Sequence, residues 1–187
     1  MKAFRRERSA PLEAAPFAHD PAGAFGLGAR LGEQGDVEGA RSALQQAIDS
    51  ADPEYAPAAA YRLGLLLGRH GDIEGAKEAY RQAANSGHRE HSPVAARNLG
   101  HLYKRQARYR QAIAAYQAAI DSGHPDVAPW AMVYLGNLLS GYADPQGARA
   151  SYQRAVDSGH PQAARQAARH LADLGFLSRT GLDFTPS

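Results

Sequence analysis

The chain has 187 residues, 44% of them hydrophobic, with 21 Lys and Arg against 19 Asp and Glu, the make-up of one globular domain with a packed core. It has no Cys, which excludes disulfide frameworks, thiolate metal sites and thiol chemistry, and no apolar run approaches the roughly 18–20 residues of a membrane span. Ala makes up 39 of the 187 residues, against 5 Phe and 1 Trp, so small side chains and close helix contacts are expected to build the core.

Residues 1–20 read as a solvated, disordered basic tail. Lys2, Arg5, Arg6 and Arg8 against Glu7 give +3 in the first ten residues of a chain whose net charge is +2, so the remainder is nearly neutral. Four charges bind phosphate or anionic lipid weakly at physiological salt, and neither nucleic acid nor a membrane is the expected partner. Ser9, Pro11, Glu13 and Pro16 interrupt the apolar stretch that a signal peptide needs. A cytoplasmic location is therefore expected.

From residue 21 the sequence repeats every 36 residues. Leu-Gly recurs at 27–28, 63–64, 99–100 and 135–136. Ala40, Ala76, Ala112 and Ala148 keep the interval, as do Ala47, Ala83, Ala119 and Ala155. Leu44, Tyr80, Tyr116 and Tyr152 form a further column, and Pro21, Pro57, Pro93 and Pro129 another. The repeats are 21–56, 57–92, 93–128 and 129–164.

Each repeat reads as two helices. The recurring Pro suits the first helical position, with Asp20 and Ser92 as preceding caps. First helices are predicted over 21–34, 57–69, 93–106 and 129–141. Asp36, Asp72 and Asp144 cap second helices over 37–50, 73–86, 109–122 and 145–158, which end at Ser-Gly. The mid-helix Gly28, Gly64, Gly100 and Gly136 are expected to face the Ala40 column, with the Tyr column filling space between neighbouring units. A capping helix over 162–174 closes the array, and the tail 175–187 carries Phe176, Leu177, Leu182 and Phe184. That tail caps the open end of the rod, or enters a groove, its own or a neighbour's.

These columns resemble the tetratricopeptide repeat (TPR), a helix–turn–helix unit carrying Leu-Gly, a large residue, Ala, an aromatic and Ala. Leu63-Gly64, Leu67, Ala76, Tyr80 and Ala83 match it, as do Leu99-Gly100, Tyr103, Ala112, Tyr116 and Ala119. The late Pro of the pattern is replaced by His88, His124 and His160, and the Ser-Gly-His endings also look like the related Sel1-like repeat. The resemblance implies an all-α, right-handed α–α superhelix, a TPR-like solenoid of four 36-residue repeats over 21–174 with a C-terminal capping helix.

It also implies a non-enzymatic protein–protein interaction scaffold whose first helices line a concave groove. The groove positions in this chain are Tyr61, Arg62 and Leu65; Val94, Arg97, Asn98, His101 and Lys104; and Trp130, Val133, Tyr134 and Asn137. Their cations, amides and aromatic faces suit a peptide or helical segment with acidic character. The carboxylate-gripping version of the family is not matched, because Phe25, Ala29, Tyr61 and Leu65 stand at charged positions and His101 stands where Asn is expected.

His88, His124 and His160 recur one repeat apart, roughly 10 Å for packed helices, too far for one ion about 2.1 Å from each ligand; no metal or cofactor is expected. No catalytic motif is present. RNA binding through Arg97, Lys104, Arg105, Arg108 and Arg110 is the alternative class, and self-association the third.

Overall fold

The computed structural model describes residues 20–180, except the side chains of 176–180. Every regular element among the described residues is a helix: α1 (Pro21–Gln34), α2 (Val37–Asp49), α3 (Tyr55–Arg69), α4 (Ile73–Asn85), α5 (His91–Arg105), α6 (Tyr109–Asp121), α7 (Val127–Gly141), α8 (Pro145–Asp157) and α9 (Pro161–Thr180).

Local chemistry sets the ends. Asp20, Asp36, Asp72 and Asp144 each accept the backbone N–H three residues on, at 2.8, 2.9, 2.8 and 2.8 Å, and so cap α1, α2, α4 and α8. Gly87, Gly123 and Gly159 follow α4, α6 and α8 at φ 73°, 65° and 72°, the left-handed turn that stops a helix.

The first helices of units two to four begin earlier than the Pro column suggests. Pro57, Pro93 and Pro129 lie at the third position of α3, α5 and α7, and Ser92 is inside α5 rather than at its cap. Pro fits there because the first turn's N–H groups have no intrahelical acceptor. Capping falls to residues two places further back. Asp52 Oδ1 accepts from the N–H groups of Glu54 and Tyr55, both at 2.9 Å. His88 Nδ1 accepts from Glu90 and His91 at 3.1 and 3.2 Å, and His124 Nδ1 from Asp126 and Val127 at 3.2 and 3.3 Å. His160 does the same for α9, accepting from Ala163 at 3.2 Å. The recurring His is thus a helix cap. Its other nitrogen reaches back to the preceding unit's acid: His88 Nε2 to Glu54 at 3.3 Å, His124 to Glu90 at 3.0 Å, and His160 to Asp126 at 3.7 Å.

Packing within a unit differs from the expected pairing. A Cβ on Gly64, Gly100 or Gly136 would lie 2.5, 2.4 or 2.4 Å from the ring of Tyr80, Tyr116 or Tyr152. The aromatic therefore sits on a Gly one helix away in its own unit, and it also reaches the next unit as expected: Tyr116 lies 6.1 Å from Tyr134 and Tyr152 stacks on His170 at 5.1 Å. Ala40 and Ala76 instead face Gly32 and Gly68, 3.7 Å from where a Cβ would stand. Removing Cβ lets the large ring sink to full burial: Tyr116 is 0% and Tyr152 2% exposed. Close approach of helix to ring offsets the roughly 1 kcal/mol that Gly costs in a helix.

α9 is longer than the predicted cap and takes in Phe176 and Leu177, whereas Leu182 and Phe184 lie outside the described residues, as does the basic tail up to His19. Leu171 and Leu174 of α9 pack on the last core cluster, while its Arg165 and Arg169 are exposed. A polar outer face on the final helix is what an array needs where stacking stops.

Candidate functional site: the face lined by the first helices

Curvature follows from which helices touch. α1 packs on α3, α3 on α5, α5 on α7 and α7 on α9, whereas α2, α4, α6 and α8 touch only their chain neighbours. The first helices are therefore crowded on the inside of an arc and the second helices splay outside it. The inner wall carries most of the residues expected to line a groove.

At the first two units, Tyr61, Arg62 and Leu65 of α3 meet Phe25, Ala29 and Leu44 around a cleft of about 460 Å³. The Arg62 guanidinium lies 5.1 Å above the Phe25 ring. Tyr61 stacks on His91 at 5.8 Å. Burial, with His88 beside it, holds His91 below the usual histidine range. Arg69 lines the same cleft.

The third and fourth units carry a ladder of rings. Trp130 stacks on Tyr134 at 6.0 Å, Tyr134 meets His101 edge-on at 4.5 Å, and His101 meets Tyr116 at 5.5 Å. Tyr134 thus covers the preceding unit while keeping one side toward the wall. His101 Nδ1 and the Tyr116 hydroxyl are 3.0 Å apart. Burial pushes His101 down to about 4, helped by Arg97 and Lys104 on either side of it in α5.

Asn98 and Asn137, predicted to meet a partner's backbone, are already engaged. The Tyr152 hydroxyl donates to Asn137 Oδ1 at 2.7 Å, and Tyr80 hydrogen-bonds the Asn98 side chain. Burial pushes both phenols up to about 12, so they stay protonated. Val133 is not a wall residue: at 1% exposed it sits in the core with Tyr152 and Ala148. Its column holds Tyr61 and Arg97 in earlier units, and a residue short enough to turn inward does so here. Val94 is half-buried against the core of the last units.

Charge is distributed unevenly. Among the described residues, none of Arg62, Arg69, Arg97 and Lys104 forms an ion pair, whereas the cations of α2 and α4 are paired, Arg41 with Asp72, Lys77 with Glu74 and Arg81 with Glu78; Arg110 of α6 and Arg149 and Arg154 of α8 are unpaired like the wall cations. The basic cluster of the third unit divides: Arg97 and Lys104 flank His101, while Arg108 precedes α6 and stacks on Tyr103 at 5.4 Å. Phe25, Leu44, Arg69 and His91 are wall or cleft residues absent from the predicted set. Phe25 was within reach of sequence, since it heads the column of Tyr61 and Arg97. No described helix is long and apolar enough to cross a membrane.

An arc of stacked helix pairs with its first helices inside is a helical-repeat solenoid. The chain matches the tetratricopeptide repeat-like domain over residues 22–139 and belongs to that family. Solved structures agree on the fold. A crystal structure of MamA is 19% identical with a TM-score of 0.62, covering 77% of this chain and 81% of its own. PilF of Pseudomonas aeruginosa is 23% identical with a TM-score of 0.65, covering 86% and 69%. BtubC of P. vanneervenii is 16% identical with a TM-score of 0.62, covering 91% and 87%. The right-handed α–α superhelix of the TPR kind is thereby the fold of this chain. No curated protein matches the sequence.

Proposed function

We propose that the protein is a non-enzymatic scaffold that holds an extended or helical segment of another protein along the wall of α1, α3, α5 and α7, and that the segment is acidic. The observation that carries this reading is the set of four wall cations, Arg62, Arg69, Arg97 and Lys104, without a carboxylate partner among the described residues. They stand beside Tyr61, Trp130 and Tyr134, whose half-buried rings offer apolar area with a polar edge, the chemistry enriched at binding hot spots. A segment bearing Asp and Glu would supply the missing charge, and complementarity of this kind raises association rate and selects among partners.

The test is titration of the chain with Asp/Glu-rich and Lys/Arg-rich peptides of equal length. Only the acidic set should bind, and more weakly as salt rises. Arg97→Glu with Lys104→Glu should weaken binding at least about tenfold. Arg149→Glu, on the exposed side of α8, should leave it unchanged. Equal binding of both peptide sets, or oligonucleotide binding that outlasts the loss of peptide binding, would refute the scaffold reading.

A further inference from the structure

The cleft between α1 and α3 has a shape that the rest of the array explains. In units two to four a Tyr ring covers the mid-helix Gly; in unit one the same position is Leu44, 2.6 Å from where a Gly28 Cβ would be. Leu44 ends where a phenol ring would continue. In units three and four the hydroxyl then meets His101 or Asn137 of the first helix. The residue of that column in unit one is Ala29, which lines the cleft and cannot reach across it. Two reductions in size therefore fall on the same spot, and a cavity of about 460 Å³ opens there, where units three and four have a phenol hydrogen-bonded to the first helix.

We infer that this cleft is an anchor pocket for one aromatic side chain of an acidic protein segment, the ring standing in for the tyrosine that unit one lacks. The inference rests on the scaffold reading and adds to it which part of the partner enters where. The walls suit a ring: Leu44, Leu65, Phe25 and Tyr61 all line the cleft. Arg62 and Arg69, both on α3 and both free of ion pairs among the described residues, line the rim and select carboxylates next to the anchor. Glu33 is the one acidic lining residue and offers an acceptor to a phenol hydroxyl. A buried aromatic in a pocket with charged neighbours at its rim is the arrangement by which few residues carry most of an interface's affinity.

Calorimetric titration of the full chain with a short Asp/Glu-rich peptide bearing one central Tyr, and with the same peptide bearing Ala, tests this. The Tyr peptide should bind at least about tenfold more tightly. Leu44→Tyr supplies the ring from inside and should abolish that difference without lowering the thermal midpoint; Ala29→Leu, filling the cleft from α1, should act the same way. Arg97→Glu, outside the cleft, should weaken both peptides and preserve their ratio. Equal affinities for the two peptides in the wild type would overturn the anchor pocket and leave the scaffold reading standing, whereas no binding of either would overturn both. A gain in Tyr-peptide affinity in the full chain carrying Phe4→Ala and Phe17→Ala would make the occupant the chain's own N-terminal segment and overturn the proposal. So would a dimer that Leu44→Tyr converts to a monomer, since the occupant would then be a second copy.

Discussion

Tyr116 lies against Gly100 so closely that a single methyl on the glycine would sit 2.4 Å from the ring edge. The ring cannot retreat, being fully buried and hydrogen-bonded to His101 at its tip. Gly100→Ala should therefore destabilise by about 1–3 kcal/mol, the usual cost of overfilling a core, despite the roughly 1 kcal/mol that Ala gains over Gly in a helix. Gly100→Leu and Ala112→Phe should cost more. Gly26 has nothing within 4 Å of its would-be Cβ, so Gly26→Ala should be neutral or stabilising by up to about 1 kcal/mol. Exposed Gln111 should accept Lys without effect. Urea denaturation of the set decides; equal midpoints for Gly100→Leu and Gln111→Lys would remove the packing argument.

Position 107 of the third unit corresponds to Gly71 of the second, and both adopt the left-handed conformation, Ala107 at φ 55° and Gly71 at φ 85°. Ala143 at φ 56° repeats this in the fourth unit, and Ala51 at φ 54° holds the place that Gly87 takes one unit later. A Cβ in this region costs about 1–2 kcal/mol. Ala107→Gly should thus stabilise by about 1 kcal/mol, reduced somewhat by the extra freedom of Gly in the unfolded chain. Gly71→Ala should destabilise by a similar amount. Thermal midpoints moving in the same direction for both exchanges would contradict this.

The architecture was legible in the sequence because a repeated unit meets its own copies. A position that must be small, such as Gly64, must be small again at Gly100 and Gly136, and the columns expose it. Second-helix starts were legible for the same reason, since Asp36, Asp72 and Asp144 are ordinary caps. The first-helix start of unit one was legible too, from Asp20 and Pro21, but those of units two to four were not, because His is an unusual cap and draws attention to metals instead; only Asp52, sharing the column of His88, hints at the shared role. The wall was half legible. Periodicity separates inside from outside but not wall from core at a column as varied as Tyr61, Arg97 and Val133, and the partners of Asn98 and Asn137 come from other helices, at distances no spacing encodes.

His124 joins two units by one ring, capping α7 through Nδ1 and meeting Glu90 of the preceding turn through Nε2. That hydrogen bond keeps the Glu90 carboxyl below the usual carboxylate range. His124→Ala removes the cap and should cost about 0.5–2 kcal/mol. His124→Asn offers a side-chain oxygen at the cap and should recover most of this without restoring the link to Glu90. Comparing the two by denaturation separates capping from pairing: an Asn variant as unstable as the Ala variant would show that the bond to Glu90, and not the cap, is what matters.

His101 supplies a pH dependence whose direction is fixed by its surroundings. Burial, and then Arg97 and Lys104, lower it from 6.5 to about 4 in the folded chain. Between those values the unfolded chain holds a proton that the folded chain refuses, so stability is whole above pH 6.5, falls as pH drops toward 4, and is insensitive to this group below that. His101→Asn places there the residue that the fourth unit already has, where Asn137 accepts from the Tyr152 hydroxyl at 2.7 Å. The variant should keep the hydrogen bond to Tyr116 and lose the titration. Its stability relative to wild type should therefore improve on going from pH 7 to pH 5, measured by urea denaturation at each. An offset between the two proteins that is the same at both pH values would mean that His101 takes up its proton equally in folded and unfolded chains, and the buried, cation-flanked setting assigned to it would be wrong.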